Sequence, residues 1–152
     1  MITSEIEKYL IQAKIPLRLS VLTESGWPII LSLWYAYTEG KILLATPNKA
    51  KVVRFLRNNP KCAFEISNEK PPYCGIRGQA KARIIESKGN EVLEKLLQRY
   101  MKEGKGSPLA KRLLSRKDEE IAIELTPINL FTWNFSERMK DSKGFQPQYI
   151  CP

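Results

Sequence analysis

The sequence predicts a mainly β (α+β) chain, an antiparallel β-barrel with peripheral helices. Three observations carry that expectation. Short stretches rich in apolar and β-branched residues recur along the chain, separated by turns containing Gly, Pro or Asn. Segments with helical periodicity interrupt them, but never in the strand–helix–strand alternation of a parallel sheet. The 152 residues, 43% hydrophobic and 27% charged, suit one domain able to bury its own core.

Ser4 followed by Glu7 reads as a capping box, and Ile6, Tyr9, Leu10 and Ala13 recur at helical spacing. A helix is therefore expected over about 4–14, stopped by Pro16. Leu17 to Thr23 alternates, with Leu17, Leu19 and Val21 on one face. Glu24-Ser25-Gly26 is a turn, Trp27 to Tyr37 a long strand, Thr38-Glu39-Gly40 a second turn and Lys41 to Thr46 a third strand. Turns this short imply an antiparallel meander. Lys49 to Asn59 carries Val52, Val53 and Leu56 on one helix face, with Asn48 as N-cap and Pro60 as terminator. Strands follow at about 61–67 and 73–85. Ser87 opens a helix whose stripe of Val92, Leu93, Leu96, Leu97, Tyr100 and Met101 faces the core. Ser107-Pro108 starts a short helix to about Leu114. Strands over 119–125 and 128–135 are separated by Thr126-Pro127. One domain spans 1–135, and 136–152 is a polar tail, disordered or draped across a partner.

Composition removes several kinds of chemistry. The chain has no histidine, which excludes Ser-His-Asp and Cys-His catalysis and His-containing metal sites. Cys62, Cys74 and Cys151 have no Cys-x-x-Cys spacing and cannot make a Cys₄ zinc site, so no metal is expected. Incidental buried thiols are the expected state, with a Cys62–Cys74 bridge as the alternative. No apolar run is long enough to span a bilayer and no signal peptide is visible, so a cytoplasmic protein without a membrane partner is the simplest reading. The net charge of +9 suits an anionic partner. Its lysines and arginines are scattered, which argues against a specific nucleic-acid surface.

The chemistry concentrates where Leu44-Ala45-Thr46-Pro47-Asn48-Lys49-Ala50-Lys51 leads from a strand into a helix. Helix N-termini present unpaired N–H groups and a positive dipole end. Cations there oppose the dipole unless an anion offsets them, so Thr46, Lys49 and Lys51 suggest a phosphate. The other reading is an exposed basic turn without a ligand. The run Pro28 to Tyr37 is apolar on both faces, which suits either a buried core strand or a strand lying against a flat ligand.

From Leu17 to Ala82 the chain resembles the FMN-binding split β-barrel of pyridoxamine 5′-phosphate oxidases and their flavin- or deazaflavin-using relatives. The resemblance is carried by Gly26-Trp27-Pro28, Trp34-Tyr35, the strand closing on Ala45-Thr46, the helix ending Leu56-Arg57-Asn58-Asn59-Pro60, and Arg77-Gly78-Gln79-Ala80. Leu125-Thr126-Pro127 and Trp133 extend it. It implies a homodimer with flavin sites at the interface, FMN (alternatively a deazaflavin) as cofactor and a small-molecule substrate. By resemblance the flavin ring runs along Ser32, Leu33 and Trp34. Ala45, Thr46, Lys49 and Lys51 hold the phosphate end, Tyr73 approaches from a following strand and Trp133 from the partner. The family's Ser-Arg-Lys run reads Ala50-Lys51-Val52 here. The Arg-Leu-Ala-Pro-like end of true pyridoxamine phosphate oxidases is absent from Gln148-Tyr149-Ile150-Cys151-Pro152, so vitamin B6 oxidation is not expected. No acid/base residue is assigned. The rivals are a non-enzymatic flavin-binding protein and a basic nucleic-acid-binding barrel.

Overall fold

The computed structural model describes residues 2–102, 104–141 and 151–152. Helix α1 spans Ser4–Gln12 and is followed by β1 (Leu17–Leu22), β2 (Pro28–Leu33), β3 (Ala36–Thr38) and β4 (Lys41–Pro47). Then come α2 (Lys51–Asn58), β5 (Lys61–Ser67), β6 (Cys74–Ile85), α3 (Gly89–Tyr100), α4 (Pro108–Leu114) and β7 (Glu120–Asn134). Among the described residues these strands form one antiparallel sheet in the order β2-β1-β5-β6-β7-β4-β3. None of the helices among the described residues is long and apolar enough to cross a membrane.

The expected strand over Trp27 to Tyr37 is two strands on opposite edges of the sheet. β2 pairs with β1, β3 pairs with β4, and Trp34-Tyr35 carries the chain between the edges. Three strands of a meander are therefore not formed. The break is anchored from inside, because Tyr35 is fully buried and its hydroxyl donates to the carbonyls of Leu10 and Ala13, at 2.9 and 2.8 Å. Burial is the main reason its phenol is held well above the ordinary range. The Arg99 guanidinium donates to the carbonyls of Leu10, Ile11 and Ala13, satisfying the orphan acceptors at the end of α1. It also lies 4.9 Å from the Tyr35 ring.

The two expected C-terminal strands are instead one, β7. Gln79 pairs with Asn129 and Ala80 with Pro127, so Ile128 is an extra residue in a bulge. A proline, which has no N–H for the ladder, is tolerated there, and the strand continues past it.

Alternation places Leu17, Leu19, Ile42, Leu44, Ile66 and Ile123 inside the barrel, in a core closed by Leu10 of α1 and Val53 of α2. The outward side of β4 and the start of β7 is covered by α3: Leu43 and Ala122 pack with Val92 and Leu96. Gly89 opens α3 against the β7 backbone, and a Cβ there would collide with the carbonyl of Glu120. The first helix is capped by Thr3, whose hydroxyl accepts from the N–H of Ile6, and not by Ser4. Ser107 caps α4 as expected.

Cys74 and Cys151 form a disulfide with Cα atoms 5.7 Å apart, and Cys62 is a buried free thiol. Cys62 is thus the expected buried thiol, whereas Cys74 and Cys151 are not free and the Cys62–Cys74 alternative is not formed. Cys62 faces Ala80 across the β5–β6 ladder and donates to its carbonyl, while Cys74 sits at the start of β6, beyond its reach. Of the tail, Ser136 to Asp141 forms turns and Cys151 is tied to β6; residues 142–150, part of the expected tail, lie outside the described residues.

Candidate functional site

Among the described residues, the helices leave one face of the barrel uncovered. Registers across β2, β1, β5, β6 and β7 set two rows of outward side chains on it. One reads Ser32, Arg18, Glu65, Arg77, Phe131; the next reads Ile30, Ser20, Ala63, Gln79, Asn129. The second row is small in its middle, so Ile30 and Phe131 stand as walls about a shallow floor of Ser20 and Ala63. The result is a groove of about 440 Å³. It is unusually apolar for an outward face: Ile30 is 73% exposed, Ile128 63% and Phe131 58%. Contiguous apolar surface of this kind marks a place where a ligand or another protein surface sits. A second groove of about 450 Å³ continues from it, sharing Ser20, Ala63 and Gln79 and reaching Leu22 and Ile128.

Charges sit at one end of the first groove. Arg18 lies 3.7 Å from both Glu65 and Glu69 and donates to Ser67 at 3.3 Å. Ser67 in turn donates to Glu65 at 2.8 Å. Arg77 lies 5.7 Å from the Trp133 ring and pairs with no carboxylate among the described residues. Cys62 lines the second groove, and burial pushes its thiol up to about 11, which keeps it protonated and unreactive at neutral pH.

The proposed phosphate end lies elsewhere. α2 begins at Lys51 with Ala50 at the N-cap and no side-chain cap, so its first N–H groups are unclaimed by a side chain. The Asn48 side chain, expected there, instead accepts from Arg57 at 2.9 Å. Its place is taken because the turn over Pro47 to Ala50 delays the helix: the N–H of Asn48 bonds to Glu119, and that of Ala50 to Pro47. Lys49 lines a cavity of about 250 Å³ with Glu86, Asp118, Glu119 and Glu120. Burial, and then the neighbouring charge of Glu119, hold the Glu120 carboxyl above its ordinary range. Lys49 is therefore set among carboxylates, and Lys51 is the cation of this pair better placed for an anion at the helix start.

The sequence-predicted site residues thus fall into separate groups. Ser32 and Trp133 lie on the open face, with exposed Tyr73 beside its lower end, where its carbonyl accepts from Phe135. Leu33 packs against the barrel core. Trp34 lies under α3, stacked on Tyr100 with ring centroids 5.0 Å apart, and Ala45 packs in the same region. Thr46 is buried at the end of β4, near Lys49 and Lys51. Thr46 is opposite Ile121 and Trp133 is twelve residues further along β7, about 40 Å of extended strand. One chain therefore leaves Trp133 far from Thr46, whereas Ser32 is two residues from Trp34, which packs in the same region as Ala45. Sequence reasoning missed Arg18, Ile30, Arg77 and Phe131. The alternation of Arg18 and Ser20 against Leu17 and Leu19 gave their side of β1, but the facing strands are known only from the register.

No protein-family model matches the chain, and no curated protein does. Solved structures do match. A conserved hypothetical protein of Mycobacterium tuberculosis is similar over 100% of this chain and 94% of its own, with a TM-score of 0.74 at 18% identity. An F420 reductase is similar over 82% of this chain and 94% of its own, with a TM-score of 0.62 at 19% identity. A Listeria innocua protein provisionally assigned as a pyridoxamine 5′-phosphate oxidase is similar over 84% and 94%, with a TM-score of 0.63 at 15% identity. Likeness at these identities is a likeness of fold. The chain is a split β-barrel with the fold of the pyridoxamine 5′-phosphate oxidase-like proteins.

Proposed function

We propose that two copies of this chain bind FMN between their open faces and act as an oxidoreductase on a small molecule other than a B6 vitamer. The observation that carries the reading is the uncovered apolar face with its groove. Two such faces, laid against each other, would remove Ile30, Ile128 and Phe131 from water. The distance of Trp133 from Thr46 along β7 supports the same reading, since a second chain could bring its own Trp133 to a site that this one does not reach. The residues present suit a flavin. Lys51 and the uncapped amides of α2 would hold its phosphate, while the open face beside Ser32, with Trp133 of one copy, would receive its ring. Bound flavin supplies the electron transfer, and the protein supplies orientation and exclusion of water. An F420 reductase shares the fold, which makes a deazaflavin the second reading. Nucleic acid is not the partner in this reading, and any binding to it should be non-specific and salt-labile.

Visible absorption of the purified protein tests the cofactor: FMN gives two bands, a deazaflavin one, and neither band after incubation with either cofactor refutes the proposal. Light scattering tests the assembly, and a 17.5 kDa particle with flavin still bound refutes the shared site. Lys51→Ala should weaken FMN by about 1.5–3 kcal/mol, the value of a charge-assisted hydrogen bond, roughly ten- to a hundredfold. Lys49→Ala should weaken it less. Equal binding by wild type and Lys51→Ala places the phosphate elsewhere.

A further inference from the structure

The groove on the open face has a charge balance that the flavin reading does not use. Of its ionic side chains, Arg18 and Glu65 are engaged with each other, and Arg18 also with Glu69. Arg77 is the cation of the groove that pairs with no carboxylate among the described residues. Its guanidinium lies near the Trp133 ring at 5.7 Å, a contact that engages a face and leaves the edge donors available. Gln79 lies next to it on the same strand face; its carbonyl accepts from Asn129 at 3.0 Å, which leaves its NH₂ group as a further donor to the groove. Between these donors and Ile30 the floor is made of Ser20 and Ala63, the shape of a slot for a flat body.

We propose that this groove receives a flat, carboxylate-bearing small molecule whose anionic end is held by Arg77, next to a ring lying along β2; the assignment rests on the two-chain flavin site above. The planar fork of arginine matches a carboxylate through two parallel hydrogen bonds, while a lysine supplies charge without that geometry. The apolar walls Ile30 and Phe131 contribute area burial but no direction, so Arg77 sets which end of the molecule enters. A neutral molecule of the same shape would leave the guanidinium desolvated without a partner under a second copy.

Benzoate is the probe, with benzamide as its neutral counterpart, each titrated by calorimetry into flavin-loaded protein whose loading is first measured by absorbance. Benzoate should bind more tightly than benzamide. Arg77→Gln should weaken benzoate roughly ten- to a hundredfold. Arg77→Lys should fall between, and Lys81→Gln, an exposed change on the same strand outside both grooves, should match the wild type. Normal flavin loading with benzoate bound no better by wild type than by Arg77→Gln, or not bound at all, overturns the assignment. Arg77-dependent benzoate binding in protein that takes up no flavin keeps the groove and overturns the flavin reading. If Arg77→Gln turns the dimer into single chains by light scattering, the counter-ion of Arg77 is a carboxylate of the second copy and the small-molecule role is wrong.

Discussion

Opening the Cys74–Cys151 bridge should cost far less stability than the length of its loop suggests. The cysteines are 77 residues apart. Closing such a loop in an unfolded chain restricts it by about 4.5 kcal/mol on the chain-entropy relation. The folded protein without the bridge is not free over that whole length, because Cys74 already pairs with Asn134 at the end of the sheet. Only about 17 residues then separate Cys151 from a fixed point, and closing that shorter loop restricts the folded state in turn. The net effect is the difference between the two loops, about 1.3 kcal/mol from their logarithmic ratio. In a chain of this size that corresponds to roughly 3–5 °C in Tm. Cys151→Ser is the variant to use, since Cys74 is fully buried and its replacement would also disturb packing. Urea unfolding of wild type, reduced wild type and Cys151→Ser should give the last two equal and about 1.3 kcal/mol below the first. A loss near 4.5 kcal/mol would show that the tail is closed onto the barrel by contacts of its own, and would refute the two-loop reasoning. Thiol counting checks the premise: unfolding without reductant should expose one thiol, Cys62, and three would mean that the bridge does not form.

Gly89→Ala should destabilise by several kcal/mol, at least about 3, because its Cβ would meet the backbone of Glu120, which cannot yield as a side-chain end would. A thermal midpoint within a degree of wild type would show that α3 can shift off β7. Arg99→Met should cost about 2–3 kcal/mol through the lost carbonyl partners at the end of α1. Hydrogen exchange should then rise first in α1, and uniform loss of protection would contradict a local staple. The raised carboxyl of Glu120 binds its proton more tightly in the folded state, so its contribution to stability is lost as pH rises from the ordinary carboxylate range through the raised value. Glu120→Gln should therefore be the more stable protein at neutral pH, with the gain vanishing in acid; an equal gain at every pH would point to packing instead of charge.

Much of the barrel is legible in local pattern, because alternation reports which face of a strand is buried. Leu17, Leu19 and Val21 announce the inward side of β1, and Val92, Leu93, Leu96 and Leu97 the inward side of α3. The break at Trp34-Tyr35 is not legible, since both residues suit a strand and what anchors the bend is a distant pair of carbonyls, Leu10 in α1 and Ala13 just past its end. Thr126-Pro127 misleads in the opposite direction, because a bulge absorbs the proline without ending β7. At the site, Lys49 and Lys51 look equivalent along the chain. They differ only once the start of β7 places Glu119 and Glu120 near one of them. The Arg77–Phe131 pairing depends on register between strands far apart in sequence, which local pattern does not encode.

The position of β7 in the sheet has a consequence for the chain as it is synthesised. β7 is the strand that joins β2-β1-β5-β6 to β4-β3, through ladders such as Ile42 with Leu125 and Ala82 with Leu125. A nascent chain that has not yet released residues beyond about Leu125 from the ribosome holds two unjoined pieces of sheet, each with an open edge and an apolar inner face. Contacts of this span make for slow folding, and exposed edges invite other chains meanwhile. Shielding of that half-made barrel during translation, by a chaperone or by low temperature, should therefore govern how much folded protein a cell recovers.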